Sequence, residues 1–395
     1  MIRRLRRRVA NLPWIHLRGL LSVPRYPGTT LTAKRLLNLY VARVDATQGR
    51  TVLRSYPMKL TIEASNVCNL ECTACFSGLG ETNGRRSMMT LDLYRRILDE
   101  VGDYLFEIEF YSWGEPLLSK FVYDMIELAH ARGITTSIST NFSIPFDEAR
   151  AERLVRSGLT TLGVSIDGAR QENYERYRVK GNIDTVLRNC RMIADAKKRL
   201  ASASPRFIWE YHVFEHNVDD IELAKSFARD LGMEICVSKG WVTGDEWARG
   251  GQFRFFSQAI PFPCLFLWHY GVLGTDGGVQ PCCGSFYPED DMGKLALTPD
   301  DLGAAMFFEV WNGPRFQEAR RLFRSRTGPP EVRKSICFDC PVTVTYERWR
   351  NHRLIGRPPE TFDPGYTEND TWNYFWSRRS RAKRPSLPEL RPTGS

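Results

Sequence analysis

The chain has 395 residues, of which 42% are hydrophobic and 26% are charged. This composition excludes a collagen-like, coiled-coil or wholly disordered protein, and the length suits one large domain or two moderate ones. The net charge of +9 sits at the two ends, since residues 1–10 hold five arginines and no acid and residues 378–395 carry five arginines, one lysine and one glutamate. The intervening chain is close to neutral, so we expect no nucleic-acid partner.

The basic start of the chain, MIRRLRRRVANLPW, has two interpretations. It is a solvated tail, or its arginines, interleaved with apolar side chains, rest on an acidic membrane surface or an acidic partner. The segment lacks the apolar core of a secretion signal, and no apolar run in the chain is long enough to span a membrane. We therefore expect a cytoplasmic location, with peripheral contact at the inner membrane surface as the alternative.

Residues 1–57 form a basic, partly helical lead-in, after which short β-branched runs alternate with stretches of helical period. The predicted strands are 58–63, 106–112, 134–139, 161–166, 207–213 and 234–238, and the predicted helices are 90–103, 119–132, 147–157, 183–200 and 219–231. Thr90 and Asp147 are predicted helix N-caps, and Gly133, Gly158 and Gly232 are predicted C-caps. Consecutive β/α units predict an α/β fold with a parallel sheet. Six units do not complete the eight of a TIM barrel, so we expect a partial (βα)6 TIM-type barrel over residues 58–240.

The β/α alternation fades after the barrel. Residues 241–262 are rich in glycine and aromatic side chains, which is typical of a linker. Residues 263–356 contain half of the cysteines and are predicted to form a small cysteine-rich domain. Residues 357–395 are rich in proline and arginine, and we expect this tail to be partly disordered.

The cysteines favour metal or cluster ligation over disulfides, because the chain is large and lacks a secretion signal. Cys68, Cys72 and Cys75 form a C-x3-C-x2-C run directly after the first strand, where parallel-sheet enzymes place their chemistry. Three thiolates on a four-iron cluster leave one iron open. A structural zinc site usually has four protein ligands, and no histidine lies near these three cysteines in the sequence. Zinc ligation and three unligated thiols are the alternatives.

A second cysteine group comprises Cys264, Cys282, Cys283, Cys337 and Cys340. A predicted hairpin with a glycine turn leads into Cys282. Four cysteines in this order can hold a second cluster completely, and they also suit zinc. The spacing alone does not decide between these two.

The first group resembles the radical S-adenosylmethionine (SAM) superfamily, in which C-x3-C-x2-C is followed by an aromatic residue, here Phe76. Further motifs occur in the order that the superfamily has them, over residues 56–240. Trp113-Gly114-Glu115-Pro116 resembles the Gly-Gly-Glu-Pro motif, with Trp in place of the first Gly. Ser139-Thr140-Asn141 ends the third predicted strand, and Ser165-Ile166-Asp167-Gly168 ends the fourth, with Tyr177-Arg178 downstream.

The resemblance implies a [4Fe-4S] cluster on Cys68, Cys72 and Cys75 that binds SAM at its open iron. An electron, from a flavodoxin- or ferredoxin-type reductant, would cleave SAM to a 5′-deoxyadenosyl radical that abstracts hydrogen from an unactivated C–H bond. The implied SAM contacts are Gly114, Glu115 and Pro116 at the methionine amino group, Ser139, Thr140 and Asn141 at the ribose, Ser165 and Asp167 on the next strand, and Arg178 at the methionine carboxylate.

The second group resembles the SPASM or twitch extension that follows radical SAM barrels. The full extension has seven cysteines, whereas this chain has five, so the resemblance implies one auxiliary [4Fe-4S] cluster on Cys264, Cys282, Cys337 and Cys340. The spacing resembles that of 2-deoxy-scyllo-inosamine dehydrogenases, in which the second cluster accepts an electron during alcohol oxidation. Cys283 is then an alternative ligand, a packed thiol, or a catalytic thiol that faces the substrate and donates a hydrogen atom or takes a proton.

Polar side chains at alternate positions of two predicted strands give information on the type of substrate. Glu107 and Glu109 share one face of the second strand, as Glu210 and His212 do on the fifth, and that face is either the barrel interior or the helix side. An interior position favours a hydrophilic substrate such as a sugar, a cyclitol or a peptide.

The leading interpretation is a radical SAM oxidoreductase or epimerase that acts on a small polar molecule or a glycan precursor. The alternatives are a maturase of a ribosomal peptide and a non-enzymatic iron–sulfur carrier.

Overall fold

The computed structural model describes residues 26, 28–81, 87–240, 264–296, 305–324, 335–338, 340 and 342–343. The N-terminal arginine cluster, the predicted linker and the predicted C-terminal tail lie outside these residues, so those predictions stand untested. Within the described ranges, no helix combines the length and the apolar character needed to cross a membrane.

Helices and strands alternate along the chain. The helices are α1 Ala33–Thr47, α2 Leu91–Val101, α3 Val122–Ala131, α4 Glu148–Arg156, α5 Gln171–Tyr177, α6 Ile183–Arg199, α7 Ile221–Asp230, α8 Leu265–Trp268, α9 Phe307–Trp311 and α10 Pro314–Arg321. The strands are β1 Lys59–Ile62, β2 Glu107–Phe110, β3 Thr135–Thr140, β4 Thr161–Ser165, β5 Arg206–Val213, β6 Glu234–Lys239, β7 Tyr270–Leu273, β8 Gly278–Gln280 and β9 Gly293–Lys294.

The strands form one open sheet in the order β6-β5-β4-β3-β2-β1-β7-β8-β9. Strands β1 to β6 are parallel and consecutive, which confirms the partial barrel. The predicted hairpin is confirmed as β7–β8, and its turn contains Gly277 at φ 82°. Strand β7 pairs in parallel with β1, a pairing that the sequence did not predict. The cysteine-rich region therefore continues the barrel sheet beyond β1.

The helix termini follow the predicted capping residues. Thr90 accepts a hydrogen bond from the backbone N–H of Leu93 at 3.3 Å, and Asp147 accepts one from Arg150 at 2.8 Å. The three predicted C-cap glycines adopt left-handed backbone conformations, with φ of 64° at Gly133, 84° at Gly158 and 65° at Gly232. Both kinds of cap satisfy backbone groups that a helix leaves unpaired at its ends.

The sheet has one apolar face and one polar face. Buried side chains such as Ile108, Leu162 and Trp209 belong to the main hydrophobic core, which includes residues of the barrel helices. The alternate positions on the same strands carry Glu107, Glu109, Glu210 and His212, which are partly exposed. The polar pairs of β2 and β5 thus lie opposite the helix-packed core, so the polar face is the inner face of the barrel.

Candidate active site

The first cysteine group lies on a loop that is tightly folded after β1. Cys75 donates its backbone N–H to the carbonyl of Cys72 at 3.2 Å, and Thr73 donates to the carbonyl of Tyr177 at 3.2 Å. The loop is therefore anchored to the end of α5. Burial raises the pKa of Cys68 to about 11 and that of Cys72 to about 12, and each thiol also lies within electrostatic range of the others.

Nitrogen donors reach all three sulfurs. The Asn141 amide nitrogen lies 3.7 Å from the Cys68 sulfur, and the Arg178 guanidinium nitrogen Nη1 lies 3.8 Å from the Cys72 sulfur. The Cys75 sulfur accepts hydrogen bonds from the backbone N–H groups that follow it in the loop. Donors directed at sulfur stabilise thiolates, which is the form that binds iron.

The Trp-Gly-Glu-Pro segment packs directly on the chain that enters the cysteine loop. A Cβ atom on Gly114 would stand 2.0 Å from the carbonyl oxygen of Ser65, so only glycine fits. Trp113 stacks on Phe76 with ring centroids 5.0 Å apart, and its indole N–H donates to the carbonyl of Ser285 at 2.8 Å. Trp113, which stands in place of the first glycine of the family motif, thus joins the cysteine loop to the C-terminal region.

Glu115 connects two of the predicted SAM motifs. Its carboxylate is 1% exposed and accepts hydrogen bonds from the Thr140 hydroxyl at 2.6 Å, the Asn141 backbone at 2.7 Å and the Leu117 backbone at 3.0 Å. Pro116 begins a short 3-10 helix directly after it. Both carboxylate oxygens therefore accept hydrogen bonds from within the chain. Through these contacts Glu115 and Thr140 hold the two loops against each other.

Glu210 is a site residue that the motif comparison missed. Its carboxylate accepts hydrogen bonds from Ser139 at 2.6 Å and from Ser165 at 3.1 Å, and the two hydroxyls lie 3.2 Å apart. A Cβ atom on Gly163 would stand 2.3 Å from Glu210, so this glycine leaves room for the carboxylate. The alternation on β5 indicated a shared face for Glu210, and the glycine within β4 is a further signal that the sequence reasoning did not use.

Asp167 and Arg178 form a buried ion pair. The Asp167 side chain is fully buried and accepts from Arg178 Nε at 2.6 Å, from the His212 backbone at 2.7 Å and from His212 Nδ1 at 2.9 Å. Arg178 follows the end of α5, a short helix that the sequence pattern did not predict, and its side chain is only 13% exposed. Burial alone would raise the pKa of Asp167, but Arg178 and His212 lower it to about 2.

The cysteines of the second group also lie near one another in the fold. Cys282 lies within electrostatic range of the other four cysteines of the group, and burial raises the pKa of each of the five thiols. Gln280, two residues before it, is 2% exposed, and its amide makes no hydrogen bond within the described part of the chain. Four thiols that are wholly or partly buried together are a donor set that suits a cluster.

Cys283 has different surroundings from its neighbour. It lies within electrostatic range of Glu109 and Lys59 on the polar face of the barrel, and of Tyr111 at the end of β2. Lys59 contacts Glu109 at 2.5 Å and Glu107 at 3.0 Å, and the Thr61 hydroxyl donates to Glu109 at 3.2 Å. Cys283 therefore stands between the second cysteine group and a charged cluster on the inner face.

The residues present fit an iron–sulfur cluster with a cofactor beside it. A polar cavity of about 350 Å³ opens next to Cys68, and the buried amide nitrogen of Asn66, which lines this cavity, has no hydrogen-bond partner within the described part of the chain. Among the described residues, no three Cys, His, Asp or Glu side chains converge on a single metal ion. A four-iron cluster makes a different demand, because each of its thiolates binds a separate iron.

Comparisons with known proteins agree with this arrangement. The model of the radical SAM superfamily matches residues 62–204. Fe-coproporphyrin III synthase of Methanosarcina barkeri is 29% identical over 126 residues, which are 31% of each chain. PqqA peptide cyclase of Granulibacter bethesdensis is 30% identical over 141 residues, which are 35% of this chain and 37% of that protein. The matches thus span about a third of the length of these curated relatives.

A solved structure covers more of the chain. That of SuiB from Streptococcus suis aligns with 83% of this chain and 80% of its own, with a TM-score of 0.54 and 16% identity. At this identity the likeness shows a shared fold. The superfamily match begins at β1, extends beyond α6 and includes all three cysteines of the first group. This chain therefore contains a radical SAM domain, whose superfamily works with a [4Fe-4S] cluster and SAM.

Proposed function

We propose that the chain abstracts hydrogen from a polar substrate held against the inner face of its barrel, leading to dehydrogenation or epimerisation. The observation that carries this proposal is the charged inner face, where Glu109, Lys59 and Glu210 lie within the sheet rather than on the outer surface. An apolar substrate would displace water from these charged side chains without offering hydrogen bonds in exchange, at a cost that disfavours its binding. A sugar, a cyclitol or a glycan precursor supplies hydroxyl or amino groups that match them.

The first cysteine group is proposed to hold the SAM-binding cluster through Cys68, Cys72 and Cys75. When bound, the cluster and SAM supply an electron and a radical that removes hydrogen from carbon. The chain's own part is to hold the cofactor and exclude water. We assign SAM contacts to the backbone of Gly114 to Pro116 and to Ser139, Asn141, Ser165, Asp167 and Arg178, with Thr140 supporting them. Glu210, bonded to Ser139 and Ser165, is added as an acceptor for ribose hydroxyls.

The second cysteine group is proposed to hold an auxiliary [4Fe-4S] cluster through Cys264, Cys282, Cys337 and Cys340, which would accept an electron from the substrate. Cys283 is proposed to face the substrate rather than to bind iron. Its electrostatic proximity to Glu109, Lys59 and Tyr111 supports this assignment, since these groups lie on the barrel side of the site. From there it could donate a hydrogen atom as the thiol, becoming a thiyl radical, or accept a proton as the thiolate.

A peptide substrate is the second candidate. The relative from Granulibacter bethesdensis is named as a peptide cyclase and shares 30% identity with this chain over the matched residues. Peptide carbonyl and amide groups also suit a polar face. The two candidates differ in size, so a panel of aminocyclitols, sugars and short peptides distinguishes them. A third candidate, a non-enzymatic electron carrier, would form no 5′-deoxyadenosine from SAM.

Cys283→Ala, with Cys236→Ala as a control at an exposed cysteine, tests the assignment of the thiol. Both variants are reconstituted anaerobically and given dithionite, SAM and the substrate panel. We expect Cys283→Ala to keep about eight irons, as two clusters require, and to form 5′-deoxyadenosine but little product. A loss of about four irons would make Cys283 a ligand, and unchanged turnover would leave it no catalytic role.

A flavodoxin- or ferredoxin-type protein is proposed as reductant, and the cytoplasm as the location. Peripheral membrane contact through the arginines of residues 1–10 concerns a segment outside the described residues.

A further inference from the structure

Arg178 is held in one place by its neighbours. Its Nε donates to Asp167 at 2.6 Å, and its guanidinium carbon lies 5.0 Å from the centre of the Tyr177 ring. Asp167 is in turn fixed by the backbone and ring nitrogens of His212, at 2.7 and 2.9 Å. The guanidinium that approaches the Cys72 sulfur is therefore oriented before any cofactor binds.

The donor to Cys72 differs in kind from the donors to the other two thiols. Cys68 is approached by the Asn141 amide and the Leu70 backbone, and Cys75 by backbone N–H groups, all of which are neutral. Arg178 carries a full positive charge at every working pH. Its charge also acts on the Cys68 and Cys75 thiols, although more weakly than burial does. The three iron ligands thus share one fixed cation, in direct contact with Cys72.

A fixed cation next to a thiolate affects the redox equilibrium of the cluster that the thiolate binds. Reduction adds a negative charge, and a nearby positive charge with an N–H directed at sulfur stabilises the reduced form more than the oxidised form. Asp167 opposes this effect because its negative charge lies against the same guanidinium. The balance between these two side chains therefore determines how much net positive charge acts on the cluster.

We propose that Arg178 is a positioning residue that raises the reduction potential of the SAM-binding cluster through its contact with the Cys72 thiolate, and that Asp167 limits this rise. The inference rests on the proposed function, since it requires a cluster on the first cysteine group. It differs from the assignment of Arg178 to the methionine carboxylate, because the effect on the potential exists before SAM is added. Both can hold, since the guanidinium has five N–H donors.

The test is the midpoint potential of the SAM-binding cluster in the reconstituted full chain without SAM, measured by electron paramagnetic resonance. The signal of this cluster is identified as the one that changes when SAM is added. Arg178→Met removes charge and donor, and we expect it to lower the reduced-to-oxidised ratio at a fixed potential about tenfold, equivalent to about 59 mV for one electron. Asp167→Asn leaves the cation less compensated and should shift the potential upward. Arg178→Lys keeps the charge and should stay closest to wild type.

Opposite shifts in these two variants would not arise from general damage to the fold. Arg170→Met is the control, since Arg170 pairs with Asp220 and makes no hydrogen bond to a thiol among the described residues. Unchanged potentials in Arg178→Met and Asp167→Asn, with full iron content, would overturn the proposal. If Arg178→Met fails to hold iron, the midpoint potential of Asp167→Asn decides the matter. A rise supports the proposal, and no rise overturns it. Failure of the wild-type chain to assemble any cluster would instead reject the proposed function.

Discussion

Glu115 shows how a motif residue can act on the fold rather than on a ligand. Its carboxylate accepts three hydrogen bonds within the chain, from Thr140, Asn141 and Leu117, in a site that is 1% exposed. The family motif identified the residue, but it did not indicate that its oxygens bind the loop that ends β3. Buried hydrogen bonds to a charged group contribute more to stability than neutral ones.

We predict that Glu115→Gln lowers the free energy of unfolding by about 1–3 kcal/mol, because the amide nitrogen replaces an acceptor with a donor that faces other donors. Chemical denaturation under anaerobic conditions measures this. Glu152→Gln is the matched control on the surface of α4, where ion pairs contribute little. A Glu115→Gln variant as stable as the control would show that the carboxylate does not join the two loops.

His269 provides a pH-dependent prediction. The residue is 4% exposed, and burial together with the nearby Arg43 lowers its pKa to about 4. The unfolded chain protonates this side chain below about pH 6.5, whereas the native chain does not until about pH 4. Stability should therefore fall as the pH is lowered through this window, at up to about 1.4 kcal/mol per pH unit from this residue.

Denaturation of wild type and His269→Gln at several pH values between 4 and 7 checks the prediction. The variant should lose less stability across the window than wild type does. His130→Gln, at an exposed histidine on α3, is the matched control. Equal slopes in wild type and His269→Gln would mean that His269 takes up its proton equally in both states.

At the scale of elements, the entry to the cysteine loop depends on close contact between two segments. Gly114→Ala would place its Cβ 2.0 Å from the carbonyl oxygen of Ser65, and a backbone atom cannot move aside without disturbing the loop that begins there. We predict reduced iron content in the first cysteine group and lower stability. Gly102→Ala is the control, since its nearest neighbour is the movable side chain of Arg132 at 3.3 Å. Full iron binding by Gly114→Ala would contradict the packing argument.

The six barrel strands could be predicted within two residues because their pattern is local. Apolar alternation, the caps at Thr90 and Asp147 and the C-terminal glycines all act over a few neighbouring positions. The short helix α5, which ends just before Arg178, was not predicted. The parallel pairing of β7 with β1 was missed because it joins segments more than 200 residues apart, and no local pattern encodes such a pairing.

At the scale of the whole molecule, the site combines side chains from distant parts of the sequence. The motifs identified the cysteines and the loops, but the bonds between Ser139, Ser165 and Glu210 depend on the register of three strands. The placement of Cys283 beside Glu109 likewise depends on β7 extending the sheet next to β1. Sequence patterns therefore predict the chemistry of the site, whereas the sheet determines which side chains meet.

The central claim is that one chain holds two clusters and that the first cysteine group cleaves SAM. Anaerobic reconstitution, followed by iron and sulfide counts and a 5′-deoxyadenosine assay, tests it most directly in wild type and in the Cys68/Cys72/Cys75→Ala variant. We predict about eight irons in wild type and about four in the variant, with 5′-deoxyadenosine formed by wild type alone. A wild-type chain that binds no iron, or a variant that still forms 5′-deoxyadenosine, would contradict the claim.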